Sequence, residues 1–474
     1  MSDTPPAMVR HHALLAVFLM LLIWGAHFWH VGGFGLYDDD YGQVSPAFDM
    51  STREVAREAG RLVVSGNQGR PFHRSLILAL SFLGARAGGL RAIHVIGFVI
   101  ITTNALLFLW LLRRVTRDEV VVVTGTLAFA LFPADTTRAF ATHSLGVQPS
   151  LLFLLMALHL YLSRWRFLGY AAALCSLCCY ETFFPVFLAA HLLHARSWRA
   201  IRTDLVRHGL VMLGMVTLAA GLRALTGEAR IAGLGPQAFV RGGSNLVLGP
   251  LVSLGLFVYR PLEAFHGASA LALDWTVVGA SLALLAAIFL ELRPAGGERA
   301  LERVALVDSR LVRLELPAGL RVLASLATTG AVMLVLAYPL TFTAPAIAVA
   351  GRATRVHAAA AVGAGILVGC LSAGILVVAT ALGRRRVTAT LLAAAFAALV
   401  ASGLRVQADY VASWSQQRSF WRQVVTLCPN LEDRTVILAD VGGLPGARPT
   451  GEYDVNLVFP AHPLGVGLTG ERGP

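Results

Sequence analysis

The sequence predicts an all-α polytopic membrane protein, and three observations carry that expectation. Of 474 residues, 56% are hydrophobic and only 14% are charged, where a soluble domain carries about 25% charge. Mean hydropathy is +0.67. Apolar runs long enough to cross a bilayer recur from Leu14 to Leu404, and short arginine clusters between them mark the loops that stay in the cytoplasm.

Keeping those arginine clusters on one side threads the chain through about eleven transmembrane helices, N-terminus in and C-terminus out. Leu14 to Val31 crosses outward. Met1 to Arg10 is polar and basic, and no small-residue cleavage site follows the apolar run, so a retained anchor is expected and not a cleaved signal. Residues 32–91 form the first outer loop, and Ala92–Leu112, Val120–Phe132 and Val147–Leu162 cross in turn. Phe167 to His194 is too long for one span and too short for two. Interrupted by Tyr180, Glu181 and Pro185, it reads as two short helices that meet on the outer side. A seventh span ends near Leu225, and residues 226–266 are expected as an outer loop. The remaining spans end near Glu291, Phe342, Arg384 and Leu404.

Residues 1–406 are thus one transmembrane domain. Residues 407–474 form a small extracytoplasmic segment, partly disordered, with a helix over Trp414–Leu427 and a short strand over Thr435–Asp440. The first outer loop has its own structure. Ser51 and Glu54 have capping-box spacing, and Val55, Ala59, Leu62 and Val63 follow at helical spacing. That predicts an amphipathic helix on the membrane surface. Gly69-Arg70-Pro71-Phe72 then makes a turn into the apolar stretch Leu76–Leu83.

The net charge is +12 and the chain has no lysine. Its arginines are spread over the loops and not gathered on a polar domain, which excludes nucleic-acid binding. Cys175, Cys178, Cys179 and Cys370 lie in apolar runs, Cys428 stands apart, and none has zinc-site spacing, so buried thiols are expected. The unusual acids all fall on the outer side: Asp38, Asp39 and Asp40 at the mouth of the first span, Asp135 at a span exit, and Glu181. Glu181 has the strongest physical case, as an ionisable group in an otherwise apolar run. Arg70, Arg138, Arg260, Arg352 and Arg355 share that side, with His73 and His143.

These outer-side residues resemble those of the polytopic GT-C glycosyltransferases that use polyprenyl-phosphate sugars, and most closely the protein O-mannosyltransferase-like members. The resemblance rests on Tyr37-Asp38-Asp39-Asp40 in the first outer loop. It rests also on Gly69-Arg70-Pro71-Phe72 before the second span, with Ile93-His94-Val95 and Asn104-Ala105-Leu106 inside it. The stretch from Phe129 to Arg138 at the third-span exit, Cys179-Tyr180-Glu181 with Pro185, and Gly351-Arg352 complete it. The chain departs from that pattern where the family has His and Glu at the exit, here Asp135 and Thr137, and where it has Lys, here Tyr180.

The resemblance implies a membrane glycosyltransferase that moves a sugar from a polyprenyl-phosphate donor to a glycan, lipid or protein acceptor, with inversion. Asp39 is then the general base, with Asp38 or Asp40 orienting the acceptor or a cation. Asp135, Arg138, Glu181, Arg70, Arg260, Arg352 and Arg355 line the donor and acceptor sites, because arginine offers phosphate a bidentate fork. No cofactor is certain. If a divalent ion, Mg²⁺ or Mn²⁺, is used, Asp38, Asp39 and Asp40 supply the oxygens. Arginine and alanine richness points to a bacterial cytoplasmic membrane, the site facing outside. Two rival readings use the same residues. One is a lipid-linked oligosaccharide polymerase or ligase, for which the loop with Arg230, Arg241, Arg260 and His266 speaks. The other is a secondary transporter, which would also place acids beside a broken helix but would show two similar halves.

Overall fold

The computed structural model describes residues 6–65, 70–193, 198–225, 235–266, 273–292, 318–342 and 345–428, and among them every regular element is helical. Helix α1 (Pro6–Ile23) continues through a π turn at Trp24–Phe28. Three helices build the first loop: α2 (Asp40–Gln43), α3 (Pro46–Asp49) and α4 (Thr52–Ser65). Next come α5 (Pro71–Val115), α6 (Glu119–Ala130), α7 (Gln148–Leu162) and α8 (Arg166–Cys179), then a 3-10 helix over Glu181–His191. The chain continues with α9 (Trp198–Leu225), α10 (Pro236–Ala264), α11 (Trp275–Glu291), α12 (Ala318–Leu336), α13 (Ala360–Ala381) and α14 (Arg385–Leu427). Among the described residues, seven helices are long and apolar enough to cross a membrane. Four further apolar helices are shorter.

The bundle has two chemically different ends. At one, Arg114 bonds Ser163 at 2.7 Å, Arg166 faces Asp204 at 3.7 Å, and Arg385 donates to the Leu290 carbonyl at 2.9 Å. At the other, the Tyr37 hydroxyl donates to the Tyr410 carbonyl at 2.9 Å and Trp29 donates to Asp274 at 2.9 Å. Helices α6 and α11 begin on Asp118 and Asp274, whose carboxylates cap the first turns.

Between the ends, the packing depends on missing side chains. A Cβ at Gly369 would stand 2.8 Å from the Val121 carbonyl oxygen, and one at Gly363 would stand 2.3 Å from the Leu334 nitrogen. Helix α13 therefore lies against α6 on one side and α12 on the other at backbone contact, the small-residue packing that lipid-embedded helices use.

The amphipathic helix expected in the first loop forms, with its capping box, but its apolar face packs on the protein. Ser51 N donates to Glu54 at 2.7 Å, and Glu54 N reaches the Ser51 hydroxyl at 3.4 Å. Val55 and Leu62 of α4 are buried with Leu78, so this apolar face packs on the first arm of α5. Helix α5 is two arms. Gly89 adopts φ 67°, ψ −149° and breaks it there. The arms fold so closely that a Cβ at Gly84 would lie 2.8 Å from the Ile93 backbone.

The chain departs from the sequence expectation in two places. Residues 226–266, expected as a loop, contain the 29-residue helix α10. Its glycines and Pro250 and Pro261 resemble loop chemistry, but Gly242 and Gly249 are packing sites: the Tyr338 ring lies where a Cβ of Gly249 would be, 2.3 Å away, and the Phe342 ring 3.1 Å from one at Gly242. Two positions along α10 bind one segment, Asn245 holding the Thr341 carbonyl at 2.8 Å and Arg260 the Val349 carbonyl. The second departure is the boundary at 406, which falls inside the unbroken 43-residue α14. The expected helix over Trp414–Leu427 is the end of α14. The expected strand over Thr435–Asp440 lies outside the described residues, as does most of the C-terminal segment.

Gly89→Ala is expected to destabilise the fold by about 1–3 kcal/mol, because its backbone angles are open essentially to glycine alone. Thermal unfolding of the purified chain in detergent measures it, and an unchanged melting temperature would refute the strain argument.

Candidate active site

The carboxylates at the mouth of α1 are placed by a buried aromatic anchor. Tyr37 is fully buried, accepts from Gly35 N at 3.0 Å and packs edge-on against Tyr410 and Phe140. The chain then turns through Asp38, at φ 49°, a left-handed conformation that aspartate tolerates. Asp40 is buried and accepts three backbone N–H groups: Tyr37 at 3.2 Å, Ala141 at 3.1 Å and Thr142 at 2.8 Å. Both of its oxygens are thereby spent on holding the first loop to the segment before α7. Asp40, expected to orient an acceptor or a cation, is an anchor in this geometry.

Asp38 and Asp39 point instead at Arg352. Its Nη1 donates to Asp38 Oδ2 and its Nη2 to Asp39 Oδ2. Arg352 opens a 3-10 turn (Arg352–His357) after Gly351, whose φ is 67°. That turn is fixed from both sides. Thr136 N donates to the Thr354 hydroxyl at 3.1 Å, and His357, fully buried, lies 2.9 Å from the Tyr338 hydroxyl. Of the three aspartates only Asp39 has a third of its side chain exposed. Burial pushes the Asp38 carboxyl above the usual carboxylate range, against the opposing pull of the Arg352 charge.

The polar layer continues from Arg352. Arg355 Nη1 lies 3.5 Å from His143 Nε2, and its charge acts on Asp38 and His73 as well. His73 packs 6.0 Å from the Tyr180 ring. Arg70 lies over the same ring at 4.2 Å and grips Glu181 with two bonds of 2.7 and 2.5 Å. Glu181 stands where α8 breaks, at the extended residue Tyr180, and it also takes Arg223 at 3.3 Å. Asp38, Asp39 and Arg352 thus form one bonded group and Arg70, Arg223 and Glu181 another. The charges of Arg355 and Glu181 both act on His73, which stands between them.

Asp135, Arg138 and Arg260 gather elsewhere. Asp135 accepts from Thr137 N and its hydroxyl at 3.1 and 2.5 Å, Arg138 donates to the Ala130 carbonyl at 2.6 Å, and Arg260 pairs with Glu263 at 2.9 Å. The three line a small pocket of about 30 Å³ with His27 and Tyr410, room for an ordered water. Sequence reasoning passed over Arg223 and Tyr410. Arg223 carried the same signal as Glu181, a charge inside an apolar run. Tyr410 carried none, because its role depends on a contact 373 positions away.

The aspartates do not fit a divalent ion in this arrangement. Arg352 stands between Asp38 and Asp39 where such an ion would bridge them, and Asp40 is spent on backbone. Among the described residues no group of three metal-ligating side chains converges. Comparison of the chain with protein-family models, curated proteins and solved structures finds no match.

Burial raises the Asp40 pKa to about 7 despite its three N–H donors. The unfolded value is near 3.9, so the group favours the folded state fully below about pH 4, and that contribution is lost as pH rises through about 7. The melting temperature of the wild-type chain is expected to fall over that window, and Asp40→Asn to flatten the fall. Asp40→Ala, which orphans three N–H groups, lowers stability at all pH values by about 1–3 kcal/mol per group left without a partner. A pH slope identical in wild type and Asp40→Asn would refute the assignment.

Proposed function

We propose that this chain is a membrane glycosyltransferase that moves a sugar from a polyprenyl-phosphate donor to an acceptor hydroxyl or amine at the carboxylate end of the bundle. The observation that carries the reading is the gathering of Asp38, Asp39 and Arg352 in one bonded group and of Arg70 and Glu181 in another, with His73 between Arg355 and Glu181. In the proposed threading about eleven spans cross a bacterial cytoplasmic membrane. The arginine-rich end lies inside and the carboxylate end outside, by the bias of short arginine-rich loops.

In this reaction Asp39, the most exposed of the aspartates, takes the proton from the acceptor as its oxygen or nitrogen attacks the anomeric carbon. The bond from that carbon to the phosphate oxygen breaks on the opposite face, the configuration inverts, and the polyprenyl phosphate leaves with the electron pair. Arginines of the layer meet the charge that develops on the leaving phosphate. Arg352 must release Asp39 for this step. An anionic donor supplies the exchange, because a phosphate competes with the carboxylates for the same fork.

Incubation of the purified chain with polyprenyl-phosphate sugars and acceptor tests the reading. Wild type is expected to release polyprenyl phosphate, and Asp39→Asn to be slower by about 10²–10⁴-fold. Transfer that survives the substitution unaltered removes Asp39 from its role. Transfer is expected to continue in EDTA, since no step is routed through a metal. Its complete loss there, with restoration by Mg²⁺ or Mn²⁺, would overturn the metal-free mechanism.

A further inference from the structure

Arg138 is a cation that the bundle leaves without a bonded acid. It is 9% exposed, and its Nη1 donates to the Ala130 carbonyl, which His27 Nε2 also approaches at 3.0 Å. Its Nε is buried and meets no acceptor among the described residues. Asp135, the one acid among the residues lining the same pocket, bonds Thr137 and acts on Arg138 through its field. Burial pulls the Arg138 pKa down to about 10, and the Asp135 charge offsets only part of that pull. The guanidinium is still charged at neutral pH, and a buried charge without a bonded counter-charge is costly.

The pocket of about 30 Å³ that Arg138 lines has more room than one ordered water needs. Arg260 lines it too, and Arg260 and Arg405 share a single acid, Glu263, at 2.9 and 3.7 Å. Three arginines thus stand against Asp135 and Glu263, an excess of one positive charge. Tyr410 and Thr136 add hydroxyl groups to the wall. A second pocket, of about 20 Å³, touches Arg138 and is lined by Asn104, whose buried Oδ1 has no partner among the described residues. An open acceptor suits a water, which can donate to it. Among the described residues that line the first pocket, no buried side-chain carbonyl or carboxylate oxygen lacks a partner, so that pocket suits a ligand that only accepts.

We propose that the first pocket binds a small monovalent anion, of which chloride is the probe, as the counter-charge of Arg138 and Arg260. A halide is close to a water in size, accepts from several donors at once and brings the charge that a water lacks. Sulfate is larger and doubly charged, and both the space and the single excess charge select against it. The anion fastens the segment after α6 from inside. That segment carries Thr136, which bonds Thr354 in the Arg352 turn, and the Ala141 and Thr142 N–H groups that bind Asp40. Occupancy of the pocket therefore steadies the carboxylate end through the backbone. Such a site stands whether or not the chain transfers sugars.

The experiment uses the full chain in detergent at fixed ionic strength, with gluconate replaced stepwise by chloride. The melting temperature is expected to rise by roughly 2–4 °C and then saturate. Bromide is expected to act like chloride, and sulfate to leave the melting temperature where gluconate does. Arg138→Gln is expected to lose the rise, and Asp135→Asn, which removes the opposing charge, to lower the half-saturating chloride concentration by about tenfold. The chloride NMR line is expected to broaden with wild type and to narrow when bromide displaces the ion. A melting temperature that follows ionic strength alone, with a chloride line indifferent to bromide, overturns the proposal and leaves the pocket to water. A rise kept in full by Arg138→Gln overturns it as well, because the anion then binds elsewhere. Where that variant does not fold, a half-saturation point unchanged in Asp135→Asn has the same force.

Discussion

Arg352 reaches across 314 positions of sequence to hold Asp38 and Asp39, and the geometry of the polar layer follows from how firmly it does so. Arg352 and Asp39 are each about a third exposed, at 34% and 33%. Solvent therefore screens the pair, and its worth is nearer the ~1 kcal/mol of an exposed ion pair than the ~3–5 kcal/mol lost when a buried pair is broken. Such a contact sets position without locking it. The Arg70–Glu181 pair, at 11% and 17% exposure, is the more enclosed. The layer thus has a firm part and a part that an incoming anion can open.

What keeps the loose part in place is the backbone around it. Asp40 ties the first loop to residues 141 and 142, Tyr37 ties it to α14, and Thr354 ties the Arg352 turn to Thr136. None of these anchors carries a free charge toward the layer. Anchoring with backbone donors and hydroxyls leaves the guanidinium and carboxylate groups for one another and for a ligand, which is the division of labour a preorganised charge site needs.

Much of this was legible in the sequence where one rule decided the matter. The capping box at Ser51 and Glu54 is a local pattern with a local cause, and it formed. Of the acids and arginines singled out, Asp38 and Asp39 meet Arg352, and Glu181 meets Arg70. Asp40 was not separable from its neighbours, because three adjacent carboxylates look alike until the backbone decides which of them faces N–H groups. Helix α10 was missed because glycine and proline report backbone freedom, and only the opposing Tyr338 ring shows that the freedom serves packing. Asp135, Arg138 and Arg260 were expected in the same site as the other acids and arginines but gather at a separate pocket, because sequence spacing does not contain depth.

The stretch that was too long for one crossing and too short for two has a metric solution. Helix α8 takes 14 residues over its path, about 21 Å at an α-helical rise of ~1.5 Å. The 3-10 helix after Tyr180 takes 11, about 22 Å at its steeper rise of ~2.0 Å. The two limbs of the V are equal in height although their residue counts differ. By stretching its second limb the chain brings Glu181 to the apex and still returns to its starting level, with three residues fewer than a pair of ordinary helices would spend.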